Sequence, residues 1–475
     1  MMTIVELPTP DGDTADAGRS HRRLLFLGLA VIYVIAAVLA IQHQLQGPSW
    51  DPALEPYVAF VESERGLSFH RPVDVRWADI SSELADDFAA EREAAPTDLS
   101  PDPFQEAYGL LGLVDVDPSV SFAESVQDTA TAQAGAFYDP VVKTIVLPAE
   151  VDPHALGFTI VHELVHALQH QHGMLGGRAE SADAARTRTA LIEGDAERVA
   201  VAWFDQLDAA ARDSYFEAID SRDTFEEFDD RANTFLETSF SASYVLGLPA
   251  VQAIVESGGQ DEIDRLLRSK TPGSSERLID VLSPSPFSEA DASGLMRLPG
   301  GVEAVDGDLG AVVWFQALAP QIGTRAAIDS LVGYDDDAFV MFDEGNQRCA
   351  RFLVTFDSAD DAEQFATQVE PVTASAQGEL RTVSPKSIEM TTCAPLGNPD
   401  DQRFGTIMPL VVANEVTLMH LRSGARPEAA RCAALAQATS IPADEPLSSF
   451  VGWGRVEELA PPFLEECQPA VFSPR

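Results

Sequence analysis

The pentapeptide His162-Glu163-Leu164-Val165-His166 constrains this chain more than any other feature of its sequence. Apolar residues at 156, 160, 161, 164, 165 and 168 keep helical spacing around it, and Gly173 closes the run. The spacing predicts an α-helix with both imidazoles one turn apart on the same face. Asp152 is the expected N-cap of that helix and Pro153 its first residue. Upstream, residues 137–140 (Phe-Tyr-Asp-Pro) read as a turn, and the β-branched run 141–147, closed by Pro148, reads as a strand.

Two imidazoles so placed reach one ion. Neutral imidazole suits a borderline-soft ion such as zinc, and the neighbouring carboxylate of Glu163 is free to take a proton from metal-bound water. A hydrolytic zinc site needs a third protein ligand and one open position. His172 has the spacing of a third histidine, but Gln169 stands where a glycine would turn the chain out of the helix. His170 continues the ladder of His162 and His166, yet three histidines on a straight helix span about 12 Å, too far for one ion. Glu193, in the predicted second helix at 183–207, is the favoured ligand. Gly194 beside it suits a close helix approach, and Glu197 or its rival Asp195 is placed to accept a hydrogen bond from a ligand imidazole. The bland alternative for Glu193, Asp195 and Glu197 is a solvated acidic helix face.

Residues 162–171 (HELVHALQHQ) and 191–196 (LIEGDA) resemble gluzincins, in particular exported prokaryotic metallopeptidases with HELxHALQ and EGDA motifs. Arg65-Gly66-Leu67, residues 136–140 and Tyr244-Val245-Leu246-Gly247 extend the resemblance, which covers about 54–335. It implies a zincin-like fold in which His162, His166 and Glu193 bind Zn2+ and Glu163 is the general base. Gluzincins also commonly use a Tyr or His on the tetrahedral oxyanion, for which Tyr244 is the candidate, against its plainer role as a core aromatic. His170 departs from the acidic residue often found at its position. The strand at 141–147 is expected to bind an extended peptide by strand addition.

Residues 24–41 form an apolar run without a charge, long enough as a helix to span roughly 27 Å. Arg19, Arg22 and Arg23 precede it and no Lys or Arg follows closely, so the N-terminus is expected in the cytoplasm and the main domain outside, held at the cell membrane by a single pass. A cleaved signal peptide is the rival reading, but the run exceeds the usual apolar core of one. With 76 Asp and Glu against 31 Lys and Arg, the net charge of -45 argues against nucleic acid as a partner and reads otherwise as a solubilising surface.

The expected organisation is a cytoplasmic tail (1–23), the anchor (24–41), a mainly helical zincin-like domain with a small sheet (42–332) and a smaller α+β domain (333–475), α+β overall. Strands are expected in the last domain at 338–342, 351–356 and 411–419, helices at 359–369 and 427–438, and an acidic loop or loose helix at 85–103. Cys349, Cys393, Cys432 and Cys467 all fall in the last domain, without a CxxC pair, and suit two disulfides of open pairing rather than a metal. The function expected is hydrolysis of a peptide or protein substrate by a membrane-anchored zinc enzyme, active or latent under a loop. The alternative is an envelope binding or assembly protein whose metal site is closed by a fourth protein ligand such as His170.

Overall fold

The computed structural model describes residues 49–85, 88, 102–116, 121–149, 156–176, 179–220, 234–283, 306–402, 404–439 and 467. The expected tail and the apolar run at 24–41 lie outside them. The chain divides into two compact units, Met1–Glu55 and Pro56–Arg475. In chain order the elements are α1 (Glu55–Arg65), β1 (Asp74–Ala78), α2 (Pro103–Leu111), α3 (Phe122–Gln133), β2 (Phe137–Asp139), β3 (Thr144–Pro148), α4 (Gly157–Gln171), α5 (Ala182–Asp205), α6 (Ala209–Asp220), α7 (Thr234–Val245), α8 (Gly247–Gly258), α9 (Gln260–Leu267), α10 (Glu276–Ile279), α11 (Ala311–Ile322), α12 (Thr324–Ser330), β4 (Tyr334–Glu344), β5 (Gln347–Phe356), α13 (Ala359–Ser375), β6 (Glu379–Ser384), β7 (Ser387–Thr392), α14 (Met408–Arg422) and α15 (Pro427–Ala438). The fold is mainly helical α+β.

Three short strands form a sheet in the order β1-β3-β2. β1 runs parallel to β3, with Trp77 opposite Leu147, and β2 runs antiparallel to it, with Tyr138 opposite Ile145. The central place of β3 explains its unbroken buried run of Ile145, Val146 and Leu147. It also corrects the expectation that this strand adds a peptide: both its edges are taken, and β2 is the outer strand beside α4.

The helix carrying the His-Glu pair starts at Gly157, not at Asp152-Pro153, which lie outside the described residues; Leu156 occupies the N-cap position without a side-chain cap. Packing requires glycine at this first position, because a Cβ on Gly157 would fall 2.1 Å from the Trp203 ring of α5. α5 is capped by Ser181, whose hydroxyl accepts the Ala184 N–H. Gly194 of α5 makes its close approach to α8 and not to α4, as the sequence suggests: a Cβ there would meet the Gly247 carbonyl at 2.2 Å, and one on Gly247 would meet the Ala190 oxygen at 2.0 Å. This glycine-to-glycine crossing carries the end of α7 up to α5.

Thr234–Gly258, spanning α7 and α8, is apolar enough by composition to cross a membrane, but half of its most apolar window is buried in the structure. Phe235, Leu236, Leu246, Val251 and Ile254 join the main hydrophobic core. That core runs on through α11, where fully buried Trp314 meets Phe352 of β5 and Phe365 of α13 edge-on at 5.5 and 5.9 Å. The second sheet, β4-β5-β7-β6, is antiparallel throughout, and α13 packs on it.

Residues 411–419 are helix, within α14, and not the strand their β-branched content suggests. Met408, Leu410, Val412, Val416 and Leu418 are all buried, so no polar face marks the helical period. The cysteines pair as Cys349–Cys393 and Cys432–Cys467.

Two carboxyls fix the chain ahead of α11 to its neighbours. Asp337 of β4 accepts the Leu309 and Gly310 N–H groups and the Tyr334 hydroxyl, and Asp308 accepts the Ala182 and Asp183 N–H groups at the start of α5. Burial pushes Asp337 up to about 7 and Asp183 to about 6, and likewise Glu276 and Glu415 to about 7. Each binds its proton more tightly folded than unfolded, so its contribution is full below the ordinary carboxyl range near pH 4 and is lost as pH rises through about 7. The melting temperature is therefore expected to fall by roughly 3–8 °C between pH 5.5 and 8, read by calorimetry. A flat or rising profile would contradict the assignment.

Candidate metal centre

α4 and α5 pack side by side, and the contact gathers polar groups that water would otherwise hold. His162, Glu163 and His166 are buried at 7%, 5% and 9% exposure, an arrangement no apolar packing argument explains. His166 Nε2 lies 2.9 Å from His162 Nε2, and Glu193 Oε2 lies 3.2 Å from each. Three donor atoms of two imidazoles and one carboxylate thus form a nearly equilateral triangle.

The surroundings orient these donors. His162 Nδ1 is 3.4 Å from Glu197 Oε1, and His166 Nδ1 is 3.0 Å from Gln169 Oε1. Both rings therefore engage neighbours through Nδ1 and turn Nε2 toward Glu193. Of the rivals for the imidazole contact, Glu197 touches His162 directly, while Asp195 accepts from Gln169.

Burial works against an imidazolium at His162 and His166, but the hydrogen bonds and charge of Glu193, with Glu197 at His162, outweigh it and raise both rings. Glu193 is held well below the usual carboxylate range; the two imidazoles overcome the opposite pull of burial. The pocket thus favours positive charge between these groups. Burial raises Glu163, one of whose oxygens takes the Tyr138 backbone N–H; its Oε2 is buried with no hydrogen-bond partner. Tyr244 stacks on the His162 ring, centroids 6.0 Å apart at 24°, and donates its phenol to Glu193. Burial and the carboxylates of Glu193, Glu163 and Glu197 keep that phenol protonated.

The other histidines point elsewhere. His170 Nδ1 is 2.8 Å from the Tyr138 hydroxyl; burial lowers the ring, so it stays neutral and accepts the phenolic hydrogen. This contact ties β2 to α4. His172 Nε2 lies 3.0 Å from the Ser68 carbonyl and its ring sits 4.5 Å from that of His70. Tyr138, Gln169 and Arg65 are the site neighbours that sequence reasoning left without a role; the fixed position of Gln169, one turn after His166 on the same helix, was the available signal.

The donor set fits a tetrahedral ion. Ligands at about 2.0–2.1 Å around zinc are separated by about 3.3 Å along a tetrahedral edge, against the 2.9–3.2 Å found here. Among the described residues no fourth His, Cys, Asp or Glu joins the group, which leaves one vertex for water or substrate. Glu344, Cys349 and Cys393 also cluster, but the two sulfurs are spent in a disulfide.

Residues 113–243 match the model of a family described as "Putative metallopeptidase family (DUF6782)". No curated protein matches the chain. The matched segment runs from just after α2 through α4 and α5 to the residue before Tyr244. A metallopeptidase holds a metal ion and cuts peptide bonds, and over the residues that carry His162, Glu163, His166 and Glu193 this chain is similar to a family so described.

Proposed function

We propose that the protein is a zinc-dependent peptidase of gluzincin type in which His162, His166 and Glu193 hold the ion. The observation that carries the reading is the triangle of Nε2, Nε2 and Oε2 atoms with an unpartnered buried carboxylate oxygen, that of Glu163, in the adjoining residue. Zinc in such a site supplies a Lewis acid that acidifies water and polarises a carbonyl. Glu163, its pKa raised by burial, takes the proton from the attacking water and delivers it to the leaving amine. The Tyr138 N–H steadies its other oxygen. Tyr244, kept as a neutral donor, turns its phenol from Glu193 to the oxyanion that develops at the attacked carbon. The substrate strand lies along the edge of β2, whose neighbour β3 has no edge to offer.

In this reading residues 24–41 anchor the chain, with the N-terminus cytoplasmic, the catalytic domain at 42–332 outside the cell membrane, and the disulfide-bearing domain at 333–475 beyond it. The binding-protein alternative draws no support from the site, because His170 is engaged by Tyr138.

Glu193→Ala is the test of the ligand set. Purified from zinc-containing medium, it is expected to hold less than about a tenth of an equivalent of zinc by mass spectrometry, since two imidazoles alone make a weak site. Zinc retained at wild-type stoichiometry would refute Glu193 as a ligand.

A further inference from the structure

Arg65 closes α1, far from the His-Glu helix in sequence, yet its side chain is wholly buried. A guanidinium out of water must be paired. Its Nε meets Asp195 Oδ2 at 3.0 Å, one terminal nitrogen meets Asp264 Oδ1 at 2.7 Å, and the other donates to Gln260 Oε1 at 2.8 Å. Arg65 therefore clamps α5 to α9, and Gly66, with φ +66°, lets the chain turn away directly after it.

The same Asp195 Oδ2 accepts the Gln169 carboxamide N–H at 2.9 Å, and the same Gln169 nitrogen lies 3.1 Å from the Ile192 carbonyl. Both amide hydrogens are thus committed. The reverse orientation would set the Gln169 oxygen against a carboxylate and a carbonyl, so only one is allowed. Its oxygen then faces His166 Nδ1 at 3.0 Å. An amide oxygen only accepts, so Nδ1 carries a hydrogen, and Nε2 is the atom left to give its lone pair to an ion. His162 has only the 3.4 Å contact to Glu197 for the same purpose.

We infer that Gln169 is a positioning residue that fixes the tautomer and ring orientation of His166 for metal binding, and that Arg65, acting through Asp195, fixes Gln169. This rests on the reading of His166 as a zinc ligand. It assigns the Arg65-Gly66-Leu67 segment, which the catalytic groups do not use, to the metal centre.

Gln169→Leu removes the acceptor but keeps the Arg65, Asp195 and Asp264 pairing. Its zinc dissociation constant, from chelator competition, is expected to rise roughly 10–100-fold. In the zinc-loaded protein the His166 Nδ1–H resonance, protected from exchange in the wild type, is expected to broaden, while that of His162 persists. Gln169→Met, close in size and without an amide oxygen for His166, is expected to act like Gln169→Leu, and it serves as the reading variant should Gln169→Leu not fold. A merely structural role would lower the melting temperature of the metal-free protein without moving zinc affinity or the resonance. Zinc affinity within twofold of wild type, or a persisting His166 Nδ1–H resonance, in whichever of the two variants folds overturns the inference alone. A wild type that takes up no zinc overturns the metal reading and the inference with it.

Discussion

Glu163→Gln is expected to slow peptide hydrolysis by about 10²–10⁴-fold while leaving zinc content at the wild-type level. Glutamine keeps the size and the oxygen that takes the Tyr138 N–H, but it does not accept a proton at neutral pH. It contributes no donor to the triangle of His162, His166 and Glu193, so metal loading is not expected to change. The comparison needs kcat/KM on one peptide and zinc by mass spectrometry on the same samples. Activity within tenfold of wild type would remove Glu163 from the proton transfer.

The second large effect is structural. Gly247→Ala is expected to destabilise the fold by at least roughly 3 kcal/mol, because its Cβ would lie 2.0 Å from the Ala190 carbonyl oxygen, a backbone atom unable to rotate aside. Gly194→Ala strikes the opposite face of the same crossing at 2.2 Å and is expected to act alike. Whatever fraction folds must part α5 from α8, which moves Tyr244 off His162. Urea unfolding midpoints read the first effect, and the activity remaining per folded molecule reads the second. A wild-type midpoint in either variant would mean that the two helices do not cross this closely.

These cases show which parts of the molecule are legible in the sequence. α4 is buried on all sides from Ile160 to Gln169, but His162, Glu163, His166 and Gln169 interrupt its apolar residues at helical spacing and so mark the period, and the acidic run at 193–197 marks the face of α5 that meets it. Fold and gathered residues follow from such local patterns. Position in a sheet does not: the β-branched run at 144–148 is equally compatible with an edge or a centre, and only pairing with β1 and β2 decides. α14 is hidden by burial on all sides, since a helix without a polar face has no period to read. The partner of Gly194 is not legible in the sequence, because a glycine advertises closeness but not to what. Gln169 and Arg65 escaped for a related reason: their placement depends on Asp195, Asp264 and Gln260, which lie on two helices distant in sequence.

The most direct test of the account is zinc content and peptide hydrolysis measured together on the purified full-length chain, before and after chelation. The account predicts about one zinc per chain, hydrolysis lost with the metal and recovered when zinc is returned. A protein that cuts peptides equally well after chelation, or one that holds no metal and cuts nothing, would contradict it.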